Sequence, residues 1–287
     1  RDPASGSGHL AATDQDKPNG VTALAMKGRA LLYSASPLSN PGNDISRWEE
    51  AAEANWTALK SALDHGYLLL AKEKYTDNFY GTKYTNEHIW AWNYGSSKIN
   101  TSTWSGTFAY PASNYTNGSG DCPTQNFVDR FETLDGDPLL TEADREAAAK
   151  LGHYDEQDPY SNRDPRFDKT ILHDGSIVSG CPTGINIHYD PATGTYPVTS
   201  LNNNNRSFGI AWGSNDSKGY SNTGYYVNKL WNGLLGTSAA HQHTDPLIRM
   251  AELYLNYAEA ANEAYGPDGF TIVENDEVAR PLVVDSK

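Results

Sequence analysis

Two blocks of strong helical periodicity, residues 21–65 and 245–265, bracket a stretch from 67 to 243 that shows almost none. That layout constrains the fold more than any single motif. Helices of this kind bury an apolar face only by packing on one another, whereas a long excursion without regular structure is functional or disordered. Five tryptophans in the excursion (Trp90, Trp92, Trp104, Trp212 and Trp231) argue against disorder. The helices therefore read as scaffold and the loops as the working surface.

In the first block Leu24, Gly28, Leu31 and Ala35 recur at helical spacing over Val21–Ser34, with Pro37 beyond the end. Ala25, Gly28 and Ala30 are small enough for a second helix to approach closely. That second helix is expected to open on a capping box, Ser46-Arg47-Trp48-Glu49. Trp48, Ala52, Trp56, Leu59 and Leu63 form its apolar stripe, and Gly66 stops it. Helix, short loop, helix is an antiparallel hairpin with the length of one tetratricopeptide-type unit, which needs neighbours to cover its face. A shorter helix is expected over Thr124–Leu134, with Phe127, Phe131 and Leu134 on one face, and a polar one over Thr141–Leu151. The last strong helix is expected to start at Asp245-Pro246, a cap followed by proline in the first turn, and to end at Gly266-Pro267. The fold class is therefore mainly α: tetratricopeptide-like helical hairpins supporting a large irregular, loop-rich region with short strands, as one domain over residues 1–287.

Composition narrows the function. Tyr (18) and Trp (7) are plentiful while Met (2) and Cys (2) are scarce, and Asn and Gly crowd the non-helical stretches. Aromatic faces interleaved with amides suit a surface that packs on the apolar C–H faces of sugar rings and bonds their hydroxyls. A net charge of -14 argues against nucleic acid or an anionic membrane as the main partner. No apolar run has membrane-spanning length and no signal peptide opens the chain. Cys122 and Cys181 lack metal-binding or redox spacing, and whether they pair is left open.

Five motifs in order carry a resemblance. Residues 25–38 (Ala25-Met26-Lys27-Gly28-Arg29 to Ser36-Pro37-Leu38) resemble the helix and exit of SusD/RagB-type outer-membrane lipoproteins. Pro123-Thr124-Gln125-Asn126-Phe127 to Glu132 with Asp135-Gly136, Asn162-Arg163-Asp164-Pro165-Arg166-Phe167, and Gly224-Tyr225-Tyr226 with Lys229 are similar to further signatures of that family. Residues 246–260, Pro246-Leu247-Ile248-Arg249 through Ala260, resemble its last scaffold helix. The resemblance implies tetratricopeptide-type hairpins carrying a loop-rich region, a lipid anchor, a place on the outer leaflet, and a SusC-like TonB-dependent transporter as partner. Members bind glycans, or in some branches peptides, and do no chemistry on them. A lipidation cysteine and the family's usual continuation after the last helix are not recognisable here. The expectation is an internal portion of a longer family protein, with part of the ligand surface elsewhere.

The candidate ligand-binding residues are Trp92, Tyr94, Trp104, Tyr110, Asn114, Tyr115 and Asn117, with Trp212 and Asn215 as an opposite wall. Trp90, Trp92 and Tyr94 alternate as on a strand, and Trp90 is assigned to the core. Trp48 and Trp56 lie on a helix stripe and are also core. In the Asn-Arg-Asp-Pro-Arg-Phe segment, Arg163 and Arg166 are expected to pin loop carbonyls and Asp164 rather than to catalyse. His241, His243 and Asp245 are not read as a metal site, because Asp245 serves as a helix cap. No cofactor is expected. A glycoside hydrolase would need a distinguished carboxylate pair, which the sequence does not show. A tetratricopeptide scaffold for peptide or protein partners is the other alternative.

Overall fold

The structure is a computed structural model that describes residues 17–79, 84–93, 122–177, 223–229, 244–267, 273–274 and 277–278. By contact density the chain divides into two compact units, residues 1–93 with 244–287, and residues 94–243.

The first unit is built on three helices, α1 (Gly20–Ala35), α2 (Ile45–Asp64) and a third, Met250–Tyr265. Asn19 caps α1 by accepting from the Thr22 amide, and its amide also donates to the Tyr67 hydroxyl at 2.9 Å. Arg47 donates to the Ser34 and Ser39 carbonyls at the other end of the hairpin, so α1 and α2 run antiparallel. Midway, Gly28 meets Asn55: a Cβ at Gly28 would lie 2.3 Å from Asn55 Oδ1. Glycine is required there by the closeness of the helices, and Asn55 uses that closeness to donate to the Gly28 carbonyl at 3.1 Å.

Alanines at 51, 52, 58 and 62, all buried, give α2 two packing faces. It lies between α1 and the last helix, and one core joins Val21, Leu32, Trp48, Leu59, Met250, Leu253 and Tyr257. Trp56 is half-buried against Tyr257, ring centroids 5.2 Å apart. Two details depart from expectation. Asp44, not Ser46, caps α2, accepting from the Ser46 amide and hydroxyl, because the preceding turn places its carboxylate under the first free amides. Leu63 is 38% exposed, since the buried face rotates toward Ala58 and Ala62 as α2 serves two neighbours.

A 3-10 helix, Lys72–Asn78, follows, then β1 (His88–Asn93).

The second unit has short elements between loops: α3 (Gln125–Val128), α4 (Glu142–Lys150), α5 (Phe167–Thr170), β2 (Ile171–Leu172) and β3 (Tyr226–Val227), with β2 and β3 antiparallel. The helix expected over Thr124–Leu134 is only one turn long. Arg163 takes the carbonyls of Val128 and Phe131, diverting the backbone from helical continuation, and Leu134 is 61% exposed. The helix from 141 is present, with a reciprocal Thr141–Asp144 capping box.

The chain returns to the first unit through β4 (Thr244–Arg249), antiparallel to β1, and α6 (Met250–Tyr265), capped at Gly266 with φ 80°. This corrects the start of the last helix. Asp245 and Pro246 are strand residues opposite Trp92 and Ala91, and Arg249 precedes the helix. Pairing with β1 outweighs the local cap-and-proline signal, and a proline is tolerated where the ladder is irregular. Two-residue strands β5 (Val273–Glu274) and β6 (Glu277–Val278) pair beyond it. No helix among the described residues is long and apolar enough to cross a membrane.

Candidate functional site

The β1–β4 ladder carries the first of the expected ligand residues. Its register slips twice: one residue on β1, Ile89, and one on β4, Leu247, lack a cross-strand partner. A bulge re-aims the side chains that follow it. Beyond the two slips Ala91 is buried at 1%, whereas Trp92 is 46% exposed. Trp90 is half-buried and packs on the main core.

Polar side chains hold this irregular ladder. The hydroxyl of Thr22 on α1 donates to the carbonyl of the bulged Ile89 at 3.3 Å. Arg29 on α1 donates to the carbonyl of the bulged Leu247 at 2.8 Å and forms a forked pair with Glu252 at 2.6 and 2.7 Å. Glu87, 3% exposed, stands at the root of β1. Its carboxylate accepts from the Leu70 amide (3.1 Å), the Asn78 side chain (2.9 Å) and Arg249 (2.5 Å), and its carbonyl accepts from the Met250 amide. His88 beside it is buried, its Nε2 donating to the Asn78 carbonyl and its Nδ1 accepting from the Thr85 amide. Burial pushes the His88 pKa below its ordinary value, so it is a neutral structural group.

The second unit contains a cleft of about 730 Å³ lined by Tyr160, Asp164, Asp168, His173, Ser176 and Asn228 among others. Its polar groups are largely engaged within the protein. Arg163 donates to the Pro159, Val128 and Phe131 carbonyls at 2.7–2.9 Å, with its guanidinium 4.6 Å above the Phe167 ring. Arg166 chelates the carboxylate of Asp164, which holds the Asp164 pKa down. Arg163 thus pins loop carbonyls and Arg166 fixes Asp164. His173 stacks on Tyr160 at 4.0 Å and reaches Asp168 at 3.3 Å. Burial raises the Tyr160 pKa, keeping the phenol neutral. Among the described residues no group of three or more acidic, histidine or cysteine side chains is arranged to hold a metal.

Of the expected ligand residues only Trp92 is described. Tyr94, Trp104, Tyr110, Asn114, Tyr115, Asn117, Trp212 and Asn215 lie outside the described residues, as do Cys181, His241 and His243. The residues not singled out from sequence are those that hold the Trp92 ladder: Thr22, Arg29, Asn78 and Arg249. Their signal is weak, isolated polar residues at no periodic spacing.

Comparison with known proteins agrees with this architecture. Among curated proteins none matches the chain. The solved structure of a SusD-like carbohydrate binding protein from Bacteroides fragilis is similar, at TM-score 0.53 and 19% identity, over 92% of this chain and 43% of that one. The structure of BT4246 is similar at TM-score 0.55 and 21% identity, over 90% of this chain and 54% of that one. At these identities the likeness shows the fold, and the chain spans about half the length of either. The sequence model of the SusD family matches residues 86–276, a span that takes in the Trp92 ladder, the Asn162–Phe167 segment and α6. The chain belongs to the SusD family.

Proposed function

We propose that this chain captures glycans at the bacterial outer-membrane surface and hands them to a SusC-like TonB-dependent transporter, without chemistry on the sugar. Family membership over residues 86–276 carries the proposal, because SusD-like proteins are binding proteins rather than enzymes. The carbohydrate-binding description of the Bacteroides fragilis structure supports the ligand class. In this reading a lipid anchor holds the protein at the surface. The candidate ligand residues are Trp92 and, from their residue types in the sequence, Tyr94, Trp104, Tyr110, Asn114, Tyr115, Asn117, Trp212 and Asn215. The exposure of Trp92 on a strand fastened to the scaffold supports its part in this reading.

Affinity electrophoresis in amylopectin, laminarin, xylan and galactomannan gels, with a reducing-sugar assay alongside, tests this. Retarded migration without sugar release is expected. The retardation should be lost in Trp104→Ala and weakened in Trp92→Ala, but kept in the core variant Trp56→Phe. Release of reducing ends would replace capture by hydrolysis. Retardation by no gel, together with binding of an oligopeptide pool, would move the ligand class to peptides.

A further inference from the structure

We infer that Glu87 and Arg249 are positioning residues for the ligand-facing Trp92, acting as a clamp that sets where a double-bulged ladder presents its indole. This rests on the reading of Trp92 as a ligand contact. A regular two-stranded ladder would fix its own register through backbone bonds, but this one slips at Ile89 and at Leu247. The slips lie on opposite strands and cancel, so the frame set at His88–Arg249 returns at Ala91–Pro246, and a contact that fixes that frame selects the register at Trp92. The clamp sits where that selection is made. Glu87 immediately precedes β1, and Arg249 is the last residue of β4, opposite His88. One oxygen of the carboxylate is occupied by Leu70 and Asn78, which leaves the other for Arg249 at 2.5 Å. The carboxylate is 3% exposed, so leaving it without its cation is costly. Thr22 and Arg29 then hold the carbonyls of the two bulged residues from α1. From the clamp, Ala91 turns inward to the core and Trp92 outward.

The chemistry of the pair dictates the variants. In Glu87→Gln the amide oxygen can still accept from Leu70 and Asn78, but an NH2 faces Arg249. Arg249→Met removes the cation, and Arg249→Lys restores a single charged donor. The chain labelled with 5-fluorotryptophan, its Trp92 resonance assigned from Trp92→Phe and its Trp48 resonance from Trp48→Phe, reports on the strand without any ligand. Glu87→Gln and Arg249→Met are expected to move or split the Trp92 resonance while Trp48 in the helical core stays in place, and Arg249→Lys to return it toward the parent. Retardation in the gel that binds the parent should weaken about tenfold in the first two variants and recover in the third. A Trp92 resonance unmoved in both variants, or Trp48 moving along with it, overturns the clamp. If Trp92 moves but Trp92→Ala binds as well as the parent, the ligand role of Trp92 fails while the register selection stands, so the two failures are distinguishable.

Discussion

The helical unit and the irregular unit solve the same physical problem by opposite means. In α1, α2 and α6 the backbone satisfies its own hydrogen bonds, so side chains are released to pack. Alanines dominate the contact between helices, and the one buried polar side chain at the α1–α2 crossing, Asn55, binds helix carbonyls. In the described part of the second unit the backbone rarely repeats, and its carbonyls and amides are taken by side chains instead. Arg163 holds three carbonyls, Thr133 and Asp137 bond each other's side chain and backbone, and Asn162 donates to the His153 carbonyl. The helical unit uses this second strategy at the α1–α2 turn, where Asn40 and Arg47 hold backbone groups, and at the double-bulged ladder. At these described places where the chain leaves regular structure, polar side chains replace missing backbone partners.

The largest expected effect falls on the irregular unit. Arg163→Met keeps much of the volume over Phe167 but takes the guanidinium from three carbonyls, of which Val128 keeps the Phe131 amide, at a cost of about 3 kcal/mol. Hydrogen exchange should rise in residues 124–134 and 159–171 while α1 and α2 stay protected. Loss of protection across both units would mean that the two strategies are not separable. Gly28→Ala comes next. Alanine favours a helix over glycine by about 1 kcal/mol, but overpacking against Asn55 costs about 1–3 kcal/mol, so net destabilisation of about 1 kcal/mol is expected in urea melts. In an Asn55→Ala background the sign should reverse, which isolates the crowding. The smallest effect is a pH dependence. Because the folded pKa of His88 lies below its ordinary value, its contribution is complete above about pH 6.5 and declines as pH falls below it. The Tm should therefore drop modestly between pH 7.5 and 5.5, and less so in His88→Gln. An equal drop in the variant would shift the cause to other groups.

Much of the helical unit was legible in the sequence because its signals are local and repeat. Leu24, Gly28, Leu31 and Ala35 mark α1, and Gly266 marks the end of α6 at a positive φ. The polar helix from Thr141 was legible for the same reason, and the structure adds its Thr141–Asp144 capping box. Asp245-Pro246 misled because its local meaning, a helix start, competes with a strand pairing to residues more than a hundred positions away. Phe127, Phe131 and Leu134 misled likewise, since a periodic run does not reveal that a distant arginine will claim the carbonyls. For the ligand surface, the sequence offered residue types suited to sugars, and the structure speaks to one of them, Trp92.

Periodicity, capping and order of motifs determined that this is a helical scaffold bearing an irregular region, and the motif order determined its family. Those features depend on neighbours a few residues apart along the chain. Tertiary structure alone decided that Glu87 meets Arg249, that Arg29 reaches Leu247 and Glu252, and that the ladder between them slips twice, once on each strand. Each of those contacts joins residues whose separation in sequence carries no periodic signal, and each exists only once the helices have brought their ends together.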